Sequence, residues 1–211
     1  MPTLSSDLVL VTGEATDELA PIWDLEPAEI PTALIDVLPA VVDTYAIAAA
    51  AVAADAYDAQ REAAEVAGLF AAIVAPLQEF GTDSLALWGT KKLVSLADVA
   101  DARTLVEGGL QKRIVNAANE TMTLSATEDP QARGYMRRTR PGSCDFCRMV
   151  ASRGGVYTKT SSRFACHDHC HCEAVPAWGG RALPVGPYKP SDRPSTELDR
   201  ARVRAWIAAN L

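Results

Sequence analysis

All five cysteines and all three histidines of the 211-residue chain lie between Cys144 and Cys172. The pattern is Cys144-x2-Cys147, eighteen intervening residues, then Cys166-His167-Asp168-His169-Cys170-His171-Cys172. A hydrophobic core does not require that clustering, whereas a metal site does. A Cys-x2-Cys turn lets two thiolates converge on one ion, with backbone N–H groups facing the sulfurs. Zn²⁺ takes four such soft or borderline ligands in a tetrahedron. The predicted set is Cys144 and Cys147 with two of His167, Cys170 and Cys172. His167-x2-Cys170 mirrors the first turn, and Cys172 is its main competitor. An extended 170–172 segment would send Cys170 and Cys172 to opposite sides. Cys166/His169 and His169/Cys172 repeat the same spacing, so the register stays open.

Three catalytic readings of the segment are weaker. A thioredoxin-type use of "CDFC" lacks a surrounding βαβ pattern. An HNH-like metal-dependent nuclease needs a suitably placed Asn and a further metal-binding His. No His follows His171, and Asn116, Asn119 and Asn210 do not fit. A Ser/His or Cys/His protease would have to take its base from His167, His169 or His171, inside the expected metal site. No G-x-S-x-G or H-E-x-x-H pattern is present. The residues therefore point to a structural role before a catalytic one.

The rest of the chain must position that segment. Stripes at helical spacing run through Val41, Tyr45, Ala48 and Val52, with Pro39 suited to a first turn. Others run through Phe70, Ile73, Val74 and Leu77, and through Val99, Ala102, Val106, Leu110, Ile114 and Ala117. They predict helices over Pro39–Val66, Leu69–Phe80 and Leu96–Leu124, the last weakened by Gly108-Gly109. After Asp129 the segments shorten. "YMRRTR", "VYT" and "CEAVPAW" have strand character, and "TELDRARVRAWIAANL" reads as a final helix. The expected fold is α+β, mainly α: an N-terminal helical bundle with a small C-terminal zinc-bound α/β module. The expected division is 1–31, an extended acidic leader with a short strand at Leu8–Val11; 32–128, the helical domain; 129–178, the Cys/His module; and 179–211, a Pro/Gly-rich linker and C-terminal helix.

The formal net charge of −7 conceals a split. Residues 1–130 carry 6 basic and 21 acidic side chains, and residues 131–211 carry 14 and 6. A basic half suits DNA phosphate or an acidic protein face. No basic residue precedes Arg61, so no secretory n-region is visible. The apolar run Ala46–Ala54 is about half of the ~20 residues a membrane span needs. The expectation is a soluble protein.

"CDFCRMVASRGGVY" followed by "FACHDHCHCEAVP" resembles the C-terminal module of MuF-like minor head proteins of tailed bacteriophages, in the branch infecting actinobacteria. The resemblance rests on Cys144, Cys147, Gly155, Tyr157, His167, Cys170 and Cys172, with "YDAQRE" as upstream support. Cys166 is an addition to the pattern. The resemblance implies a minor capsid protein inside the head near the portal, present in the host cytoplasm during assembly. It implies the portal, the major capsid protein and scaffold as partners, and a role in head assembly, genome packaging or ejection. Relatives in this branch are often labelled capsid maturation proteases, which makes that the alternative. Arg133, Arg137, Arg138, Arg140, Arg148, Arg153 and Arg163 around the module are candidates for packaged DNA. The final helix, with Arg200, Arg202, Arg204, Trp206 and Ile207, is expected to dock on the portal.

Overall fold

In the computed structural model the described residues are 3–140, 143–152, 154, 156–158, 164, 166–170, 172–180 and 196–210. Gly155, Arg153, Arg163 and His171 lie outside them, as do the side chains of Arg200, Trp206 and Ile207. The chain order is α1 (Leu4–Leu19), a 3₁₀ turn (Ala20–Asp24), α2 (Ile30–Ala63), α3 (Thr82–Gly89), a 3₁₀ turn (Leu96–Asp98) and α4 (Val99–Glu128). Then follow β1 (Gly134–Arg138), α5 (Asp145–Ser152), β2 (Glu173–Ala177) and α6 (Glu197–Asn210). The fold is mainly helical with one two-stranded antiparallel sheet, in agreement with the expected class.

Residues 1–31 are not an extended leader. Thr3 caps α1 in a reciprocal pair with Ser6. Leu4, Leu8, Ala15 and Leu19 are buried at helical spacing, so Leu8–Val11 is helix and not strand. The acidic side chains lie on the opposite face. α2 starts before the expected Pro39, which lies inside the helix. Its length and composition would suffice to cross a membrane. Here Leu34, Leu38, Val41, Val42, Ala49 and Ala53 of α2 are buried in the core shared with α1 and α4.

The expected helix over Leu69–Phe80 is absent. The segment between α2 and α3 crosses the bundle in extended form because side chains of α2 and α4 satisfy its backbone. Arg61 donates to the carbonyls of Val66, Ala67 and Gly68. Asp58 accepts from Ala72 N–H, Ser125 Oγ from Ile73 N–H, and Thr121 Oγ1 from Ala75 N–H. Arg113 holds the carbonyls of Phe80 and Gly81. A backbone with these partners does not need a helix to meet its hydrogen bonds.

β1 and β2 pair from Gly134↔Ala177 to Arg138↔Glu173, and Tyr135 forms a further bridge to Tyr157. Gly134, at φ +138°, admits this bridge: a Cβ there would sit 2.1 Å from Tyr157 O. The sheet joins the bundle through Asp129, at the end of α4. Its buried carboxylate accepts from Arg61 Nε at 3.0 Å, Tyr57 Oη at 3.1 Å and Trp178 Nε1 at 3.3 Å. Its second oxygen accepts from Gln131 N–H at 2.9 Å. Burial pushes the Asp129 carboxyl up, but the donors from Gln131, Arg61, Trp178 and Tyr57 hold it below the usual range.

A depressed carboxylate contributes stability that is present above its unfolded pKa of about 3.9 and lost as pH falls through the lower folded value. Asp129→Asn should therefore flatten the acid limb of the stability–pH profile. At neutral pH it should cost about 3–5 kcal/mol, since it strands the Arg61 charge. Urea melts between pH 2 and pH 7 measure both.

Candidate metal centre

α5 begins one residue after Cys144, so Cys144 and Cys147 stand on one side of its first turn. Cys147 N–H faces Cys144 Sγ at 3.5 Å. The second arm turns at Asp168-His169, where His169 has φ +58° and Cys170 N–H donates to His167 O at 3.2 Å. Cys172 N–H faces Cys170 Sγ at 3.4 Å. Both arms thus place an amide against a sulfur, which favours thiolate.

The two arms converge. Cys144 Sγ is 3.0 Å and Cys147 Sγ 3.4 Å from His167 Nε2. Cys147 Sγ is 3.4 Å from Cys170 Sγ, which is 3.1 Å from Cys172 Sγ. Two triads that could hold a metal ion result, Cys144/Cys147/His167 and Cys147/Cys170/Cys172, with Cys147 in both. A tetrahedral zinc site with Zn–S bonds of about 2.3 Å has ligand edges of ~3.7 Å, close to these separations. An extended 170–172 segment would send Cys170 and Cys172 to opposite sides. Their sulfurs converge instead, with β2 beginning only at Glu173 and Cys170 leaving the turn at Asp168-His169. Hydrogen bonds from Cys147, Cys166 and Cys172 push the Cys170 thiol far down. Cys147 is pushed up by donating to Cys170 and Cys172 and by burial, and Cys166 by Cys170 and burial.

Asn116 and Asn119, which do not fit a nuclease site, dock this segment on α4. Asn119 is fully buried. Its Nδ2 donates to Cys172 O at 3.0 Å and to Val115 O at 2.9 Å, and Oδ1 accepts from Ala174 N–H at 2.6 Å. The amide side chain acts as a short strand beside β2. Asn116 Oδ1 accepts from Cys166 N–H at 3.1 Å. One turn back, Lys112 pairs with Asp168 at 3.4 Å. Gly108 leaves room for the His169 ring, whose Nε2 would sit 2.5 Å from a Cβ at that position. Gly108, Lys112, Asn116 and Asn119 recur at steps of four, four and three along one helix face. Two asparagines three residues apart among the apolar Ile114, Val115, Ala117 and Ala118 were the available sequence signal. Cys166, the addition to the pattern, is 4 % exposed and lies 3.5 Å from Asn119 Nδ2.

Several arginines that were candidates for DNA have protein partners. Arg138 pairs with Glu173 at 2.5 Å, Arg148 with Asp145 at 3.4 Å, and Arg137 lies over the Phe164 ring at 3.9 Å.

Asn119→Ala strands a buried carbonyl and a buried N–H, each worth about 1–3 kcal/mol. It should destabilise the fold by about 2–4 kcal/mol and speed amide exchange at Ala174 in hydrogen-exchange experiments. Gly108→Ala should displace the His169 ring, read as a shift of its imidazole resonances.

No curated protein and no solved structure matches the chain. The family model described as VG15 protein matches residues 3–194. The match covers α1 to β2, both arms of the Cys/His cluster and the α4 face that carries them. The chain therefore belongs to the VG15 protein family, a family of viral proteins.

Proposed function

We propose that this viral protein is a structural minor capsid protein of a tailed phage, of the MuF-like kind, whose C-terminal module is closed by one Zn²⁺. The convergence of the two Cys/His arms carries this reading. The ligands are Cys144, Cys147, His167 and Cys170. Cys170 is the fourth because it sits in the turn that pairs it with His167 and its sulfur faces an amide, as Cys144 does. Cys172 lies outside the ligand set under this reading, its sulfur 3.1 Å from that of Cys170 and its carbonyl held by Asn119. When bound, the ion takes the place of the thiol protons, and its binding free energy becomes folding free energy of the module.

The site of action under this reading is the interior of the head near the portal, with the portal and major capsid protein as partners. The excess of basic side chains after residue 130 supports an accessory contact with packaged DNA. Such binding would be sequence-independent and steeply salt-dependent.

One observation favours the second reading, a capsid maturation protease: the exposed Cys144 thiol lies 3.0 Å from an imidazole nitrogen. A nucleophile and base need that contact. They do not need a second sulfur on the same nitrogen and a third beyond it, which is what Cys147 and Cys170 supply. The geometry supports a metal polyhedron over a dyad.

Purified protein should contain one zinc per chain by elemental analysis. Cys147→Ser should lose the metal and lower the melting temperature of the module by more than 10 °C. Cys166→Ser should keep one equivalent. Incubation with the major capsid protein should give no cleavage. Cleavage abolished by Cys144→Ser in a protein that retains its zinc would establish the protease instead.

A further inference from the structure

With Cys144, Cys147, His167 and Cys170 as ligands, the cluster holds one sulfur more than a tetrahedral ion takes. Cys172 is left over and fully buried, its sulfur 3.1 Å from that of Cys170. That is closer than the 3.4 Å between Cys147 and Cys170, two ligands of one ion. A disulfide bond of about 2.05 Å requires the Cys170 and Cys172 sulfurs to close by only about 1 Å. Both residues precede β2, so the approach breaks no hydrogen bond of the ladder.

Exposure assigns a different part to each sulfur. Cys170 keeps 6 % of its surface exposed and Cys172 none, so a small oxidant meets Cys170 first. Cys172 then lies where a resolving thiol must lie. Cys144 is more exposed, but its partner in the Cys-x2-Cys turn, Cys147, is itself a ligand and not a spare thiol. Cys166 is the other spare thiol. Its sulfur sits between Asn119 Nδ2 and the Cys172 carbonyl, at 3.5 Å from each.

We propose that Cys170 and Cys172 form a peroxide-sensitive pair that opens the metal centre. The proposal rests on the zinc reading above. The Cys170 thiolate attacks one oxygen of hydrogen peroxide: an S–O bond forms, the O–O bond breaks and hydroxide leaves. Cys170 is thereby oxidised to a sulfenic acid and the peroxide reduced. The Cys172 sulfur then attacks the Cys170 sulfur. The S–S bond forms, the S–O bond breaks, and the departing hydroxide takes the Cys172 proton as water. A disulfide sulfur no longer ligates as a thiolate, which leaves Cys144, Cys147 and His167 alone. The folding free energy that metal binding lends the module is lost with the fourth ligand. A dithiol reductant with zinc supplied should reverse the change.

The test is hydrogen peroxide added to the zinc-loaded full chain, with release followed by a chromogenic chelator. Disulfides are mapped by mass spectrometry after cleavage before Asp168. The fragment that starts there holds Cys170 and Cys172 without Cys166. It should lose two hydrogens in step with the release of one equivalent of zinc. Cys172→Ser should load one equivalent and release it at least tenfold more slowly, whereas Cys166→Ser should behave as the natural chain does. A chain that holds no zinc before peroxide is added contradicts the zinc reading, and the proposal falls with it. Where zinc is held at the start, three results overturn the proposal alone: a Cys144–Cys147 bridge at release, a bridge to Cys166, or equal release from Cys172→Ser. Failure of Cys172→Ser to load zinc would make Cys172 a ligand and remove it as the resolving thiol.

Discussion

Four sulfurs and an imidazole nitrogen meet in a space where successive neighbours are 3.0 to 3.4 Å apart. Thiolates that close repel one another, and buried thiols without charge compensation gain little from proximity. The contact becomes favourable when a cation is shared among them. The small sheet and α5 lack the apolar volume to hold this arrangement alone, since β1 and β2 have five residues each and α5 eight. Their order therefore depends on the sulfur cluster and on what anchors it.

Two anchors fix the segment to the bundle, and both are polar. Asn119 and Asn116 on α4 complete the backbone bonding of the Cys166–Ala174 stretch. Asp129 gathers Arg61, Tyr57 and Trp178, which come from α2 and from the end of β2. Apolar packing between the same elements would permit several registers. Hydrogen bonds to particular backbone groups permit one, so the two arms arrive with their ligand atoms facing each other. Cys147, Cys166, Cys170 and Cys172 then join the same buried cluster as Leu110, Ile114 and Met122 of α4.

The Cys/His centre was legible in the sequence because metal ligation requires rare residue types at short fixed spacings. α4, α6 and α2 from Pro39 onward were legible from periodicity, and β1 and β2 from the strand character of "YMRRTR" and "CEAVPAW". The crossing segment over Leu69–Phe80 was not: Phe70, Ile73, Val74 and Leu77 have helical spacing, and the partners that keep them extended lie up to 52 residues away. The first thirty residues misled for the opposite reason. Their prolines and acids suggest an arm, but Leu4, Leu8, Ala15 and Leu19 form a narrow apolar stripe that is buried only because α2 and α4 are there. Asn116 and Asn119 carry no catalytic signal in the sequence, and their role is to dock the second arm. A buried amide on a core helix answers a packing question that spacing alone does not pose. The register of the second arm was open because it depends on the turn at His169, and a positive φ at a histidine is not written in the sequence.

X-ray absorption at the zinc edge on the purified chain tests the central claim most directly. A site formed by Cys144, Cys147, His167 and Cys170 gives a shell of three sulfurs at about 2.3 Å and one nitrogen at about 2.0 Å. A shell of four sulfurs would place Cys172 in the site and remove His167. A shell with oxygen ligands, or a chain that binds no zinc, would contradict the account.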